Sequence, residues 1–485
     1  MQNAILVLDH DPGLAGLIAR TLRNMQVYCV PVPFDITLAQ AQALEARGLI
    51  VAAANGVELS LAGFDPALLN GTLPLLALGA MVPALCAHLG GAVLPREAES
   101  ESVTLGLAED PLFAGITGGE RVLAALRDLT PPAGYACLAT ATERCVGFYS
   151  PQNRLYAVQY PIERNDPDSV SLLSNFALNV CGMEPDWTED RIITQTVESI
   201  RAAAGEGRVL CAVSGGVDSA VCARLAQMAV DQRLMCVFVD TGLFRRDEPE
   251  AVLNTYMETL GIVVAHVDAQ DGFHRALRGV RRALEKERVA TSLLRLVLER
   301  QLDFDPEIHT LVLGTNYNDT LYGRVQAEDP PRTDDARPIT VLEPIRGLFK
   351  EEVRRLARAL SLPSSIAERQ PFPASGLALR IFGEVTDEKL ETLRKADAFF
   401  SEEIRSGGHE RKLWQYYASM AENPDEFGGW AVVLRACQAC SGEACASRLP
   451  YDLLERVGAR ILRELPRVRR VLYDLTPSQH YAQVE

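Results

Sequence analysis

One stretch decides the fold of the central part of this chain: Ser214-Gly215-Gly216-Val217-Asp218-Ser219-Ala220. It follows an apolar run, residues 209–213, which is typical of a buried strand, and it precedes a helical pattern that begins at Val221. Adjacent glycines let backbone N–H groups approach phosphate oxygens, the two serine hydroxyls add donors, and a helix N-terminus favours negative charge. The stretch therefore predicts a strand, a phosphate-binding loop and a helix start.

The loop differs from the nucleotide-binding motif G-x-x-x-x-G-K-[ST], because the first lysine downstream of the glycines is Lys286. It resembles instead the pyrophosphate loop of ATP pyrophosphatases, which cleave ATP between the α- and β-phosphates and adenylate a substrate oxygen. This resemblance implies that the chain uses ATP with Mg²⁺. The residues expected to contact the cofactor are Ser214, Gly215, Gly216, Val217, Asp218 and Ser219.

Composition bounds the class of protein. A length of 485 residues with 48% hydrophobic residues suits about three folded domains. The net charge of −16 argues against a nucleic-acid partner, which would require a basic face, and favours a small-molecule substrate. No apolar stretch reaches the ~18 residues of a membrane span, and the amino terminus runs directly into a strand-like segment. We therefore expect no membrane association and a cytoplasmic location.

Strand-like runs alternate with helical patterns in the first part of the chain, which predicts an α/β domain with a largely parallel sheet. The runs are residues 5–8, 48–52, 73–78 and 155–160. A second α/β pattern begins near Arg191, and in it Asp240 follows a strand at the edge where open α/β sheets place their ligands. From about Ser365 the pattern predicts a small α+β domain that ends in a strand at residues 468–473.

Further segments match one family in order along the chain. They are residues 237–248 (VFVDTGLFRRDE), Gly314-Thr315, residues 343–354 (EPIRGLFKEEVR), Arg369 with residues 371–373 (PFP), residues 376–378 (GLA), residues 383–386 (GEVT) and residues 449–452 (LPYD). Together with SGGVDS they resemble the glutamine-dependent GMP synthetases over nearly the whole chain.

The resemblance implies three domains. Residues 1–187 are similar to a class I glutamine amidotransferase, residues 188–365 to an ATP pyrophosphatase domain of the adenine nucleotide α-hydrolase-like type, and residues 366–485 to the carboxyl-terminal domain that dimerises and helps to hold the nucleotide. In that family the middle domain adenylates the C2 oxygen of xanthosine monophosphate, and ammonia then displaces AMP to give GMP. A homodimer is expected by the same analogy.

The resemblance and the residue chemistry together suggest the catalytic groups. Asp218 and Asp240 suit contacts to Mg²⁺ or to ribose, and Arg346 and Lys350 suit neutralisation of developing charge. For Arg346 and Lys350 the alternative is ion pairing with nearby glutamates at a helix start. Gly314 and Thr315 are expected to contact the nucleotide.

The chain departs from the family where glutamine would be hydrolysed. A class I amidotransferase requires a cysteine nucleophile, a histidine base and a glutamate that orients the base. Gly79 stands at the position of the nucleophile, Pro161 stands at the position of the histidine, and only Glu163 of the triad remains. Cys86 is nearby, but it reads as a core cysteine. We therefore predict that the first domain cannot hydrolyse glutamine, so that ammonia comes free or from a separate glutaminase.

The acceptor side has also changed. Residues 323–337 stand at the place of the family's lysine- and histidine-bearing lid and contain neither residue type. The final ten residues, 476–485, lack the family's Lys-Pro-Pro, and Gln370, Ala374 and Ser375 alter its RHPFPGPGL turn. Losing such lysines removes charge-assisted phosphate contacts, each of which contributes about 1.5–3 kcal/mol.

Three cysteines within nine residues, Cys437, Cys440 and Cys445, have no counterpart in the family pattern. They permit three interpretations: unpaired loop thiols, ligands of a metal site that lacks an evident fourth ligand, or a redox or sulfur-relay role.

The sequence hypothesis is a GMP synthetase-like ligase that adenylates xanthosine monophosphate and aminates it with ammonia. The alternatives are a paralogue that adenylates a different substrate for amination or thiolation, and a non-catalytic pseudoenzyme.

Overall fold

The computed structural model describes residues 3–476 apart from residues 56, 58, 95–99, 164–165, 322–330, 332, 334–336, 371, 373–374, 423–427 and 441–442. The chain forms two compact units, Met1–Arg191 and Ile192–Glu485. The described part of the chain contains no helix that is long and apolar enough to cross a membrane. The domain boundaries given above at residues 187 and 365 stay predictions.

The first unit is built mainly of strands. Its helices are α1 (Pro12–Asn24), α2 (Leu38–Ala43), α3 (Met81–His88) and α4 (Pro167–Asn175). Its strands are β1 (Ala4–Asp9), β2 (Cys29–Pro33), β3 (Ala46–Ala53), β4 (Leu75–Gly79), β5 (Ala92–Leu94), β6 (Ser100–Leu107), β7 (Gly119–Ala124), β8 (Asp128–Thr130), β9 (Ala136–Ala141), β10 (Arg144–Ser150) and β11 (Leu155–Val158).

Nine of these strands form one mixed sheet, in the order β2-β1-β3-β4-β11-β10-β9-β6-β7. The pairs from β2 to β11 are parallel, and the pairs from β11 to β7 are antiparallel. The expectation of a largely parallel sheet is thus correct only for the first half. The antiparallel half was hidden because the β9–β10 hairpin turns at Thr142 and Glu143, whose φ angles are 47° and 69°. Hairpin turns of this kind are usually signalled by Asn-Gly or Asp-Gly.

The second unit contains two sheets. Its helices are α5 (Glu189–Ala204, which begins just before the unit), α6 (Val217–Val230), α7 (Glu248–Asn254), α8 (Gln270–Leu277), α9 (Ala283–Phe304), α10 (Tyr317–Leu321), α11 (Lys350–Ala359), α12 (Ser364–Ala367), α13 (Asp387–Ser406) and α14 (Tyr451–Glu464). Its strands are β12 (Arg208–Val213), β13 (Leu234–Asp240), β14 (Val264–Asp268), β15 (Ile308–Val312), β16 (Thr340–Leu342), β17 (Gln415–Glu422), β18 (Trp430–Cys440), β19 (Glu443–Ala446) and β20 (Val468–Tyr473).

The first sheet of this unit is fully parallel, in the order β14-β13-β12-β15-β16. The chain starts at the central strand β12, builds outward through β13 and β14, and then returns to the other side of β12 with β15. The strand order therefore reverses between β12 and β15, and ligands of open α/β sheets bind outside the carboxyl ends of strands at such a point. The phosphate-binding stretch follows β12 directly.

The second sheet has β18 at its centre, with β17 antiparallel to it, and β19 and β20 paired to different halves of the strand. Strand β20 confirms the predicted final strand at residues 468–473. A single hydrophobic cluster continues from Leu210 and Val237 of the parallel sheet through Leu377 and Phe400 to Val432 of this second sheet. Because the two sheets share this core, they fold as one compact unit.

Candidate active site

The loop between β12 and α6 has the backbone shape that anion binding requires. Gly215 has a φ of 77°, and Gly216 is the extended N-cap residue of α6. The side chain of Val217 is 3% exposed in the core, so only its backbone can reach a ligand. The loop therefore directs backbone N–H groups and a helix N-terminus to one place, as the sequence predicts.

Two serines tie the loop to the first turn of the helix. The Ser214 N–H donates to Ser219 Oγ at 3.1 Å, and the two hydroxyl oxygens lie 3.2 Å apart. The Ser219 hydroxyl also donates to the Gly216 carbonyl oxygen at 3.2 Å. These bonds hold the loop in shape before any ligand arrives, which is the preorganisation that anion stabilisation needs.

Replacing Gly215 is expected to destabilise the folded protein. A Cβ there would lie 2.3 Å from Val252 Cγ2 and 2.7 Å from Arg369 Nη1, and its positive φ disfavours other residues. We expect Gly215→Ala to lower the free energy of unfolding by about 2–4 kcal/mol in urea denaturation. Gly216→Ala is the matched control, since its Cβ would meet only Ser214 Oγ, at an ordinary 3.4 Å. Equal losses for the two variants would contradict this interpretation.

Gly314 closes the site from the side of β15. A Cβ at this residue would lie 2.9 Å from the backbone nitrogen of Ser219, so glycine allows β15 to end directly against the start of α6. Thr315 follows and is half-buried. Both residues thus lie beside the phosphate-binding loop, and their contact with a nucleotide stays a prediction.

Asp218 and Lys350 come together although 132 residues separate them. Asp218 lies in the first turn of α6, and Lys350 is the first residue of α11. The Lys350 ammonium donates to Asp218 Oδ2, while Asp218 Oδ1 is buried and has no hydrogen-bond partner within the described part of the chain. A buried carboxylate oxygen that lacks a partner can accept a divalent cation, so the residues fit the predicted Mg²⁺.

Asp240 is 5% exposed at the end of β13, and both of its oxygens are engaged. Oδ1 accepts from the Gly242 N–H at 2.9 Å, and Oδ2 accepts from Gln270 Nε2 at 3.1 Å. His266 Nε2 lies 3.7 Å from Oδ2. In this structure Asp240 therefore organises the loop that follows β13, and its direct catalytic role stays a prediction.

The two predicted cations have different partners. Arg346 donates to Glu343, which is the glutamate pairing that the sequence left open for it. Glu352 instead accepts from the Phe349 N–H at 2.8 Å and caps the start of α11. Lys350, the first residue of α11, is free of that glutamate and points toward the phosphate-binding loop, where it pairs with Asp218. The side chain of Arg346 is 44% exposed. Of the two, Lys350 has the position from which it can act on phosphate.

Sequence reasoning quoted Arg369 and Glu248 only as parts of motifs and gave them no role. The Arg369 guanidinium pairs with Glu248 and donates to the Gly215 carbonyl oxygen. Burial and, to a smaller extent, the neighbouring charge of Arg245 together lower the pKa of Arg369 to about 10. The sequence motifs contain both residues. They do not show that Arg369 contacts Gly215, because 154 positions separate the two residues.

In the first unit, Gly79 lies at the strand-to-helix turn between β4 and α3. Its φ is 62°, and a Cβ built on it would lie 2.0 Å from the Ala53 carbonyl oxygen. The Ala80 N–H donates to that same oxygen at 3.0 Å. The turn is therefore closed around a residue that has no side chain.

The other two positions of the predicted degenerate triad lie in one short loop before α4. The Glu163 N–H donates to Ser169 Oγ at 3.1 Å, and the Ser169 hydroxyl donates to the Pro161 carbonyl oxygen at 3.4 Å. Glu163 is exposed. Its carboxylate thus faces solvent, and Pro161 has no proton-accepting side-chain group.

Cys86, the thiol nearest to Gly79 in sequence, is fully buried in α3, and its Sγ lies 3.4 Å from the Thr130 carbonyl oxygen. Burial raises the pKa of this thiol, which disfavours the reactive thiolate. The structure confirms the interpretation of Cys86 as a core cysteine.

The three late cysteines lie on the β18–β19 hairpin. Cys437 pairs with Ala446, and Gln438 pairs with Cys445, so Cys437 and Cys445 occupy opposite faces of the two strands. Cys437 is 1% exposed. This register does not gather the three residues for one metal ion, and no metal-binding group was found among the described residues. The side chain of Cys440 lies outside the described part, so the metal prediction stays untested.

Parts of the acceptor side lie outside the described residues as well. These are most of residues 323–337, the terminal residues 477–485, and Pro371, Pro373 and Ala374 of the altered turn. Gln370 is described, and its Oε1 accepts from the Tyr416 N–H at 3.2 Å. Ser375 is 2% exposed.

Comparison with known proteins identifies relatives of the whole chain. Two family models match: NAD synthase over residues 190–400 and the GMP synthase C terminal domain over residues 402–485. A protein of Symbiobacterium thermophilum named GMP synthase [glutamine-hydrolyzing] is 36% identical over 98% of this chain and 97% of its own. Proteins of the same name from Parafrankia sp. and Geobacillus kaustophilus are 36% and 34% identical, over 97% and 98% of this chain and 94% and 98% of their own.

Proposed function

Since the chain belongs to the GMP synthase family, which is a family of ATP-dependent ligases, we propose a specific reaction for it. The protein adenylates xanthosine monophosphate and aminates it with ammonia. The products are GMP, AMP and pyrophosphate. The observation that carries this proposal is the complete phosphate-binding loop at the strand-order reversal, with Asp218 and Lys350 joined beside it.

The loop and the charged residues near it have separate tasks in this reaction. Backbone N–H groups and the hydroxyls of Ser214 and Ser219 hold the β- and γ-phosphates, which leave together as pyrophosphate. Lys350 neutralises the charge that builds up on the leaving group. The loop that follows β13 is held in shape by Asp240. It lies at the carboxyl edge of the parallel sheet, as the phosphate-binding loop does, and contributes to nucleotide binding.

Asp218 would hold Mg²⁺ through its buried, unpartnered Oδ1. When bound, the metal supplies charge neutralisation and a template for the phosphates. Asp218 would then balance two cations, the metal at Oδ1 and Lys350 at Oδ2. Lys350, at the start of α11, lies close enough to the loop to neutralise charge on phosphate oxygens.

The nitrogen source is ammonia rather than glutamine bound by the first unit. The relatives named above carry glutamine hydrolysis in their names, but this chain has glycine and proline where the family has its nucleophile and base. The closed turn at Gly79 and the exposed Glu163 support the same conclusion. Free ammonia or a separate glutaminase would supply the nitrogen.

A paralogue that adenylates another acceptor is the second candidate, favoured by the absence of Lys and His in residues 323–337. Thiolation has less support, because the hairpin register places Cys437 and Cys445 on opposite faces. A pseudoenzyme is disfavoured by the complete phosphate-binding loop.

The test is pyrophosphate release from ATP and Mg²⁺ in the presence of ammonium, measured with and without xanthosine monophosphate. We expect release that depends on xanthosine monophosphate and equals the GMP formed. Release that occurs only with another acceptor would establish the paralogue, and no release with any acceptor tested would favour the pseudoenzyme.

A further inference from the structure

Beside the phosphate-binding loop lies a group of charged residues that the mechanism above does not use. It contains Arg245, Arg369 and Arg380 together with Glu248 and Asp397, and we name it the arginine cluster. Arg369 joins the cluster to the loop through the Gly215 carbonyl oxygen, and Glu248 accepts its charge. Arg245 belongs to the loop after β13, and Asp397 belongs to α13.

One carboxylate serves two arginines in this cluster. Asp397 Oδ2 lies 3.3 Å from Arg245 Nε, and Asp397 Oδ1 lies 3.4 Å from Arg380 Nη1. Oδ1 also accepts from the Ala418 N–H at 2.9 Å. With Arg369 balanced by Glu248, three positive charges face two negative ones. The cluster therefore carries an excess of one positive charge.

This excess lies in a buried setting with unused donors. Arg380 is 2% exposed, and its Nη2 has no hydrogen-bond partner among the residues that the structure describes. The Nε2 of Gln370 is likewise buried without a partner in that part of the chain. Burial lowers the pKa of Arg380 to about 10, against the raising effect of Asp397, so the group stays protonated at neutral pH. Unsatisfied charged donors are costly in a protein interior, and an anion would relieve that cost.

A ligand can reach the cluster from solvent. The side chains of Arg245 and Arg369 are 23% and 21% exposed, whereas Arg380 and Asp397 form its floor. The Phe372 ring contacts two of the arginines, with its centroid 4.6 Å from Arg245 Cζ and 5.0 Å from Arg380 Cζ. The ring and Asp397 hold the two guanidinium groups in fixed positions.

We propose that the arginine cluster binds the phosphate group of the acceptor nucleotide, with Arg245 as the direct contact. The inference rests on the proposed function, because it concerns the acceptor of that same reaction. The phosphates of ATP are the other possible source of an oxyanion. The ATP phosphates are disfavoured as the ligand because we assign them to the backbone N–H groups of the loop. The cluster meets that loop at a different group, the carbonyl oxygen of Gly215, which Arg369 contacts. The family's lid and tail lysines would contact this phosphate, and they are missing from this chain. Another group of cations would therefore have to bind it.

The first test uses inorganic phosphate as the probe and thermal unfolding as the readout, at constant ionic strength and with chloride as the reference salt. Phosphate that binds the folded protein raises the unfolding temperature by mass action. We expect this rise in the wild-type protein and in Arg246→Gln, the neighbouring residue whose side chain is 58% exposed. We expect a smaller rise in Arg245→Gln, where the phosphate-binding loop is the remaining site for the anion, and an intermediate rise in Arg245→Lys. Because each variant is compared with itself, a change in basal stability does not affect the result. An equal rise in all variants, or none in the wild type, would overturn the proposal.

The second test separates the acceptor phosphate from ATP and from the proposed function itself. We expect Arg245→Gln to raise the dissociation constant for xanthosine monophosphate by about tenfold or more, with xanthosine and ATP unaffected. An effect on ATP instead would assign the cluster to the ATP phosphates and overturn the proposal. If the wild type binds xanthosine monophosphate through Arg245 but releases no pyrophosphate, the proposed function fails while the phosphate site stands.

Discussion

Replacing Asp218 with asparagine is expected to slow the release of pyrophosphate from ATP by about 10²–10³-fold, the usual effect of removing one preorganised electrostatic contact from a transition state. Asparagine keeps the size of the side chain but removes the negative charge that Lys350 and Mg²⁺ would share. The buried Oδ1 would no longer attract a cation, and Lys350 would lose its partner. Steady-state kinetics over a range of Mg²⁺ concentrations measures the effect, and the apparent affinity for Mg²⁺ should fall with the rate.

The matched control is Asp231→Asn, at the opposite end of the same helix. Asp231 is exposed, with a φ of 49° and a ψ of −116°, and asparagine has the same size and branching as aspartate at this position. We expect this variant to keep the wild-type rate and Mg²⁺ dependence. If Asp218→Asn retained most of its activity, the ion pair with Lys350 would be a structural contact only, and the assignment of the metal ligand would be wrong.

Glutamine hydrolysis is expected to be undetectable, and restoring the lost side chains should not recover it. The double variant Gly79→Cys with Pro161→His supplies the nucleophile and the base that the family has at these positions. The new Cβ at residue 79 would lie 2.0 Å from the Ala53 carbonyl oxygen, and cysteine would have to adopt a φ of 62°. Glu163, which would have to orient the new histidine, is exposed in this structure.

Glutamate formation from glutamine, measured with the wild-type protein and the double variant in the presence of ATP and xanthosine monophosphate, tests this expectation. Circular dichroism of the double variant controls for unfolding. Glutamate release by the wild type would contradict the predicted loss of glutaminase activity. Its appearance in a folded double variant would show that the turn at residue 79 can accommodate a side chain.

The elements that sequence could predict are those whose signal is local. The loop at residues 214–219 and the final strand at residues 468–473 are each specified by neighbouring residues: the glycines in the loop, and the β-branched and aromatic residues in the strand. The β9–β10 hairpin was missed because Thr142 and Glu143 occupy the left-handed region without the usual Asn or Gly.

The contacts of the site were beyond local reasoning. Lys350 meets Asp218 across 132 residues, and Arg369 meets Gly215 across 154. Periodicity specifies which face of a helix is buried, but not which distant charge it meets, because the crossovers of a parallel sheet decide that. The arginine cluster escaped for the same reason: Arg245, Arg380 and Asp397 come from three separate segments that the shared core brings together.

The measurement that tests the central claim most directly is the source of the nitrogen in the product. The protein is given ATP, Mg²⁺, xanthosine monophosphate, ¹⁵N-ammonium and unlabelled glutamine together, and the nucleotide product is analysed by mass spectrometry. We predict GMP that carries the ¹⁵N label throughout, which is the result expected if the second unit activates the acceptor and the first unit releases no ammonia. Unlabelled GMP formed at the expense of glutamine would contradict the account.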